Sequence, residues 1–99
     1  MSTGQSRRLL WLRHRCRGHG TFTEIIPSSQ MHADSVVMAS ITEIAVKNGR
    51  EVPHLGNATM QILNVTPEQG RVMVRARVDW GSPLQLRISL LWDPDTFAN

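Results

Sequence analysis

The chain has 99 residues, a single cysteine and a formal net charge of +3 at neutral pH. This length fits one domain, and a single cysteine excludes a scaffold held together by internal disulfides. The longest apolar run near the N-terminus, residues 9–12, is too short for a signal peptide or a membrane span. We therefore expect a protein that is intracellular or part of a macromolecular assembly and is not secreted through a classical signal peptide.

Residues 1–30 predict a basic N-terminal arm, partly disordered, that precedes a compact β-domain over residues 31–99. The first twenty residues carry five arginines and no acidic side chain, which is typical of a segment that meets an anionic partner. Residues 21–26 have strand-like composition and could pair with an edge of the domain. The candidate anion-binding residues of the arm are Arg7, Arg8, Arg13, Arg15 and Arg17, and Trp11 is a candidate interface residue among them.

Residues 35–55 fit two interpretations. A helical stripe over about 35–48 would give an α+β fold, with Gly49 just past the helix end. The composition of valine, isoleucine, threonine and serine instead favours strands, and Asn48-Gly49 is a strong signal for a type I′ hairpin turn. We favour two strands, residues 41–46 and 51–55, of which Pro53 confines the second to a sheet edge.

The strongest pattern is the alternation of apolar and polar residues over 71–80 and again over 84–92. Period-two alternation over such runs indicates strands with one apolar face. Residues 59–65 predict a further strand, and residues 66–70 predict a turn between it and the strand at 71–80. The three strands therefore predict an antiparallel meander, with tryptophans 80 and 92 facing inward. The fold class is mainly β, a small antiparallel sheet or β-sandwich of about five or six strands.

The predicted hairpin at 71–92 places two arginines opposite each other. Facing residues must share a face of the sheet, and both pairings that satisfy this condition set Arg87 against another arginine, Arg77 or Arg75. Like charges directly opposite destabilise a sheet, so a sheet that keeps this pair neutralises it or uses it to hold an anion.

The polar face of the hairpin is the second candidate site. Its candidate anion-binding residues are Arg71, Arg75, Arg77 and Arg87, because arginine binds carboxylates and phosphates with two hydrogen bonds. Met73 and Leu91 lie on the same face and are candidate interface residues. A core of about seventy residues is marginal alone, so we expect a homo-oligomer or a place in a larger protein assembly.

Metal and catalytic sites are not expected. His14, Cys16 and His19 could supply three zinc ligands, but structural zinc needs four ligands and the intervening arginines repel a dication. A catalytic role for Cys16 with one of these histidines requires firm positioning, which a mobile arm does not give. We therefore expect no catalytic residues, no metal and no cofactor.

The sequence predicts a non-enzymatic structural or assembly subunit. Its β-domain would pack into an oligomer or a larger complex while the basic arm contacts an anionic partner, nucleic acid among the candidates. The alternative is a small nucleic-acid-binding regulatory protein that uses the arginine face of the sheet. The salt dependence of binding distinguishes the two functions, because affinity for nucleic acid falls steeply as the salt concentration rises.

Overall fold

A computed structural model describes residues 9–94 of the chain. These residues form seven strands and no helix, so this part of the chain holds no helix that could cross a membrane. The prediction of a mainly β fold is confirmed, whereas the predicted five or six strands are too few. The strands are β1 (Leu10–Gly18), β2 (Gly20–Pro27), β3 (Val37–Lys47), β4 (Arg50–Pro53), β5 (Thr59–Glu68), β6 (Arg71–Asp79) and β7 (Leu84–Trp92).

The strands form two antiparallel sheets that pack face to face as a sandwich. The four-stranded sheet has the order β1-β7-β3-β4, and the three-stranded sheet has the order β2-β6-β5. Consecutive strands pair directly only in two hairpins, β3–β4 and β5–β6. The remaining pairs join strands that are far apart in the sequence.

The core lies between the two sheets. Its fully buried side chains include Val72 and Val74 from β6, and Ile88 from β7. Both strands alternate between buried and more exposed residues, as the period-two pattern predicts. Trp80 is an exception, because it lies beyond the end of β6 and is 44% exposed rather than turned inward.

The loop between β2 and β3 is also part of the core. Met31 is fully buried against residues of both sheets, and its carbonyl accepts a hydrogen bond of 2.9 Å from the backbone N–H of Gly70. The indole N–H of Trp92 donates to the carbonyl of Gln30 at 3.2 Å. These contacts fix the loop against the ends of β6 and β7.

Residues 37–47 form β3, so the strand interpretation is correct and the helix alternative is wrong. Val, Ile and Thr along this segment favour a pleated, half-buried conformation. Asn48 and Gly49 both have positive φ angles, 52° and 74°, as a type I′ turn requires. Pro53 lies in β4, which is an edge strand.

The predicted basic arm is wrong over the part that the structure describes. Residues 10–18 and 20–27 form β1 and β2, and these strands pair with β7 and β6 over their whole lengths. The arginines of β1 occupy alternate positions, and the residues between them face the interior. Arg7 and Arg8 lie outside the described residues.

The chain passes from one sheet to the other between β1 and β2, where His19 is the single intervening residue. Two glycines make this sharp change possible. A Cβ atom at Gly18 would approach the Phe22 ring to 2.7 Å, and Gly20 has a φ of +66°, which other residues adopt at a cost.

β6 and β7 lie in different sheets and do not form the predicted hairpin; residues 80–83 link them across the same corner. Arg87 therefore lies opposite Arg15 of β1, not opposite Arg75 or Arg77. An alternating sequence shows which side chains face the core, but the pattern is the same for strands that pair and for strands that stack across a sandwich. The β5–β6 part of the predicted meander is confirmed.

Candidate binding surface on the four-stranded sheet

The outward-facing side of the four-stranded sheet combines exposed apolar and cationic side chains. We call it the outer face. Its residues are Trp11, Arg13, Arg15 and Arg17 from β1, Gln85, Arg87, Ser89 and Leu91 from β7, and Met38, Ser40 and Thr42 from β3.

Three large apolar side chains cross one end of the outer face. Leu91 lies opposite Trp11 on one side and opposite Met38 on the other, so the three form a row across neighbouring strands. Their exposed fractions are 67% for Trp11, 39% for Leu91 and 68% for Met38. We call them the apolar row, and together with Ser40 and Ser89 they line an open groove of about 400 Å³.

The remainder of the outer face is cationic. Arg13, Arg15 and Arg17 follow the apolar row along β1, and Arg87 lies beside Arg15 on β7. The guanidinium carbon of Arg13 lies 5.3 Å from the centre of the Trp11 ring, which is within the range of cation–π attraction.

Arg15 and Arg87 differ in how their charge is compensated. Arg15 forms an ion pair of 2.6 Å with Glu51 of β4. The Nε atom of Arg87 is buried and has no hydrogen-bond partner among the described residues. A buried, unpaired donor beside a second cation is unfavourable, so the outer face has an unmet preference for a negative charge.

The predicted arginine patch of the hairpin is divided between the two sheets. Arg71, Arg75 and Arg77 lie on β6, on the opposite surface of the sandwich from Arg87. Arg71 pairs with Glu68 at 2.7 Å. No single surface therefore holds all four arginines.

The predicted interface residues separate in the same way. Trp11 and Leu91 meet in the apolar row, but Met73 lies on the three-stranded sheet and is half-buried between Ile25 and Thr66. Sequence reasoning missed Met38, because the partner of β3 cannot be deduced from its own pattern.

His14 and Cys16 face the space between the sheets and do not join the outer face. His14 Nε2 lies 3.1 Å from Glu24 Oε2, and both side chains are 26% exposed. Burial, with a smaller contribution from the Glu24 charge, raises the pKa of Cys16 to about 11. The thiol therefore stays protonated at neutral pH, which does not suit a nucleophile or a metal ligand.

His19 lies apart from this pair, at the exposed corner between β1 and β2. Over residues 9–94 the structure brings together no group of three His, Cys, Asp or Glu side chains that could hold a metal ion. The outer face is thus equipped for binding through apolar contact and positive charge.

Comparison of the chain with protein-family models, curated proteins and solved structures gave no significant match. The function is therefore inferred from the side chains of the outer face.

Proposed function

We propose that this protein is a non-enzymatic structural subunit that assembles into a homo-oligomer through the apolar row, while the arginines of the outer face contact an anionic partner. The observation that carries the proposal is the row of Trp11, Leu91 and Met38 at paired, exposed positions. A contiguous apolar patch on a sheet is typical of a surface that another protein covers.

The energy available from the apolar row is sufficient to contribute to association. Complete burial of a large apolar side chain contributes roughly 1.5–3 kcal/mol. Scaled by their exposed fractions, the three residues would together contribute about 4 kcal/mol per subunit. In a symmetric dimer both subunits present the same row, so the contribution doubles before the entropy cost of association is subtracted.

The cationic part of the face supports an anionic partner. Arg15 and Arg87 lie directly opposite each other, an arrangement that costs a few tenths to about 1 kcal/mol in an isolated sheet. A partner that supplies negative charge would remove this cost and satisfy the buried Nε atom of Arg87.

Analytical ultracentrifugation of the full chain over a hundredfold dilution tests the assembly. Met38→Lys should shift the wild-type oligomer toward the monomer, because it places a charge in the apolar row. Ile25→Lys is the matched control, since Ile25 is 52% exposed on the other sheet. A monomeric wild type, or equal effects of the two substitutions, would refute the proposal.

One observation favours a second function, that of a small nucleic-acid-binding regulatory protein. The exposed Trp11 ring lies beside a series of arginines on β1, and single-stranded nucleic acids bind to surfaces that combine aromatic stacking with positive charge. If three arginines each neutralise one phosphate, log K should fall with log salt at a slope of roughly −2. Titration of a short oligothymidylate at several salt concentrations measures this slope.

A further inference from the structure

β1 is an edge strand: β7 occupies one of its sides, and none of the other described strands pairs with the second side. An edge strand presents unpaired backbone N–H and C=O groups that can pair with an additional strand. β1 contains no proline and has a regular register with β7 over nine residues. Its free side is therefore suitable for adding one more strand.

The other edges are less suitable. β2 ends at Pro27, and its outward-facing residues, Thr21, Thr23 and Ile25, carry no positive charge for an acidic segment. β4 has four residues and ends at Pro53. β5 carries an irregularity between Ile62 and Asn64 and includes Pro67. Bulges, prolines and short length are features that prevent strand addition.

The register that would pair all nine residues of two copies of β1 is disfavoured at this edge. In an antiparallel pairing of two copies centred on His14, Arg13 of each chain would lie opposite Arg15 of the other. The pairing would place those four cations next to Arg87, which already lies opposite Arg15. Like charges at facing positions disfavour such a sheet, so the partner must differ in charge from β1.

We propose that the free edge of β1 binds an extended segment of another protein in which acidic residues occupy alternate positions. This inference rests on the proposed function and gives the chemistry of its anionic partner. Arg13, Arg15 and Arg17 are spaced two residues apart, about 6.8 Å, and a paired strand presents side chains on the same face with the same spacing. Three alternate carboxylates would each face one arginine.

The structure contains one carboxylate that already binds this series. Glu51 reaches Arg15 from β4 with an N–O distance of 2.6 Å, although the Arg15 side chain remains 64% exposed. Arg15 can therefore bind a carboxylate while it stays accessible to a partner. Glu51 competes with that partner for the same guanidinium group.

The inward-facing residues of β1 determine which side chains the bound segment can place between its acidic residues. Leu12, His14 and Cys16 are half-buried, and His14 is already paired with Glu24. The residues between the acidic ones should therefore be small or apolar. β1 ends at Gly18, where the chain crosses to the other sheet, so the bound segment has at most about nine residues.

A protein strand fits this edge better than a nucleic acid. An added strand would form hydrogen bonds with the unpaired backbone groups of β1 as well as with its arginines. A polynucleotide would neutralise the arginines but would leave the regular backbone edge without matching partners. The two classes of partner therefore differ in their dependence on backbone hydrogen bonding.

The test uses the full chain and three synthetic nine-residue peptides in calorimetric titrations. The first has glutamate at three alternate positions with valine and threonine between them, and the second has the same composition with the glutamates adjacent. The third is the first peptide with its backbone N-methylated at alternate residues. We expect the first peptide to bind at least tenfold more tightly than the other two.

Variants of the chain locate the site. Arg15→Gln should weaken binding of the alternating peptide about tenfold, whereas Glu51→Gln should strengthen it severalfold by releasing Arg15. Glu68→Gln is the matched control, because it releases Arg71 on the other sheet and should leave binding unchanged.

Equal affinities for the three peptides would overturn the inference. It would also be overturned if oligothymidylate bound more tightly than the alternating peptide and displaced it. Sedimentation of the same variants separates this outcome from failure of the proposed function. An Arg15→Gln chain that still assembles while the peptide results fail would overturn the strand-addition site alone. A monomeric wild type would overturn the proposed assembly and leave the peptide results to stand by themselves.

Discussion

Replacing Arg87 with threonine should stabilise the protein by about 1 kcal/mol. The substitution removes the repulsion from Arg15, a few tenths to about 1 kcal/mol. It also removes a buried N–H group without a partner, and such a group costs about 1–3 kcal/mol. Loss of the half-buried aliphatic stem of Arg87 offsets roughly 1 kcal/mol of this gain.

A gain of 1 kcal/mol corresponds to an increase in Tm of about 4–8 °C for a domain of this size. Thermal denaturation should be recorded at one fixed protein concentration, because association makes Tm depend on concentration. Arg75→Thr is the control, since Arg75 is exposed and lies opposite Thr23 and Asn64. This variant should change stability by less than about 0.5 kcal/mol.

A double-mutant cycle with Arg15→Thr isolates the repulsion between the two arginines. If the repulsion is real, Arg87→Thr should stabilise the wild-type background more than the Arg15→Thr background. A lower Tm for Arg87→Thr, or a change equal to that of the control, would refute the assignment of Arg87 as an uncompensated cation.

Three further measurements test other parts of the structure. Met31→Ala should lower the free energy of unfolding by about 2–5 kcal/mol, because Met31 is fully buried. Gly20→Ala should lower it by roughly 1–2 kcal/mol, since alanine is strained at a φ of +66°. The rate of alkylation of Cys16 by iodoacetamide should increase with pH toward a midpoint near 11 rather than 9. Because the pKa of this thiol is higher in the folded than in the unfolded state, its contribution to stability should be lost as pH rises from 9 to 11.

Each of these expectations has a clear contrary result. A loss below 1 kcal/mol for Met31→Ala would mean that the loop between β2 and β3 does not belong to the core. Equal stability of Gly20→Ala and the wild type would remove the requirement for a positive φ at the corner. An alkylation midpoint at pH 9 would show that the Cys16 thiol is exposed to solvent rather than buried. The Cys16→Ser variant measures alkylation at sites other than Cys16.

The sequence allowed the inward-facing residues of β6 and β7 to be predicted, because their alternation is long and regular. It did not allow the partners of these strands to be predicted. Val74 and Ile88 would face a core in a single hairpin sheet and also in a sandwich, and the energies that decide between these arrangements depend on strands elsewhere in the chain. For this reason the predicted partner of Arg87, Arg75 or Arg77, was wrong, and Arg87 lies opposite Arg15.

The same alternation was present in β1 and was obscured by composition. Leu10, Leu12, His14 and Cys16 are separated by single outward-facing residues, which is the signature of a half-buried strand. Two of those outward residues, Arg13 and Arg15, are arginines, as is Arg17 after Cys16, and their charge suggested a mobile arm. The glycines on either side of His19 lie where the chain passes from β1 to β2, so they join two strands and do not end an arm.

The pairing of β1 with β7 also has a consequence for how the chain folds during synthesis. Leu10 lies opposite Trp92, so the first of the seven described strands to be synthesised pairs with the last of the seven. β2 likewise pairs with β6, and only the hairpins β3–β4 and β5–β6 can close from neighbouring segments. Contacts between distant segments slow folding. During synthesis β1, with its tryptophan and arginines, therefore remains without its sheet partner until β7 has left the exit tunnel of the ribosome.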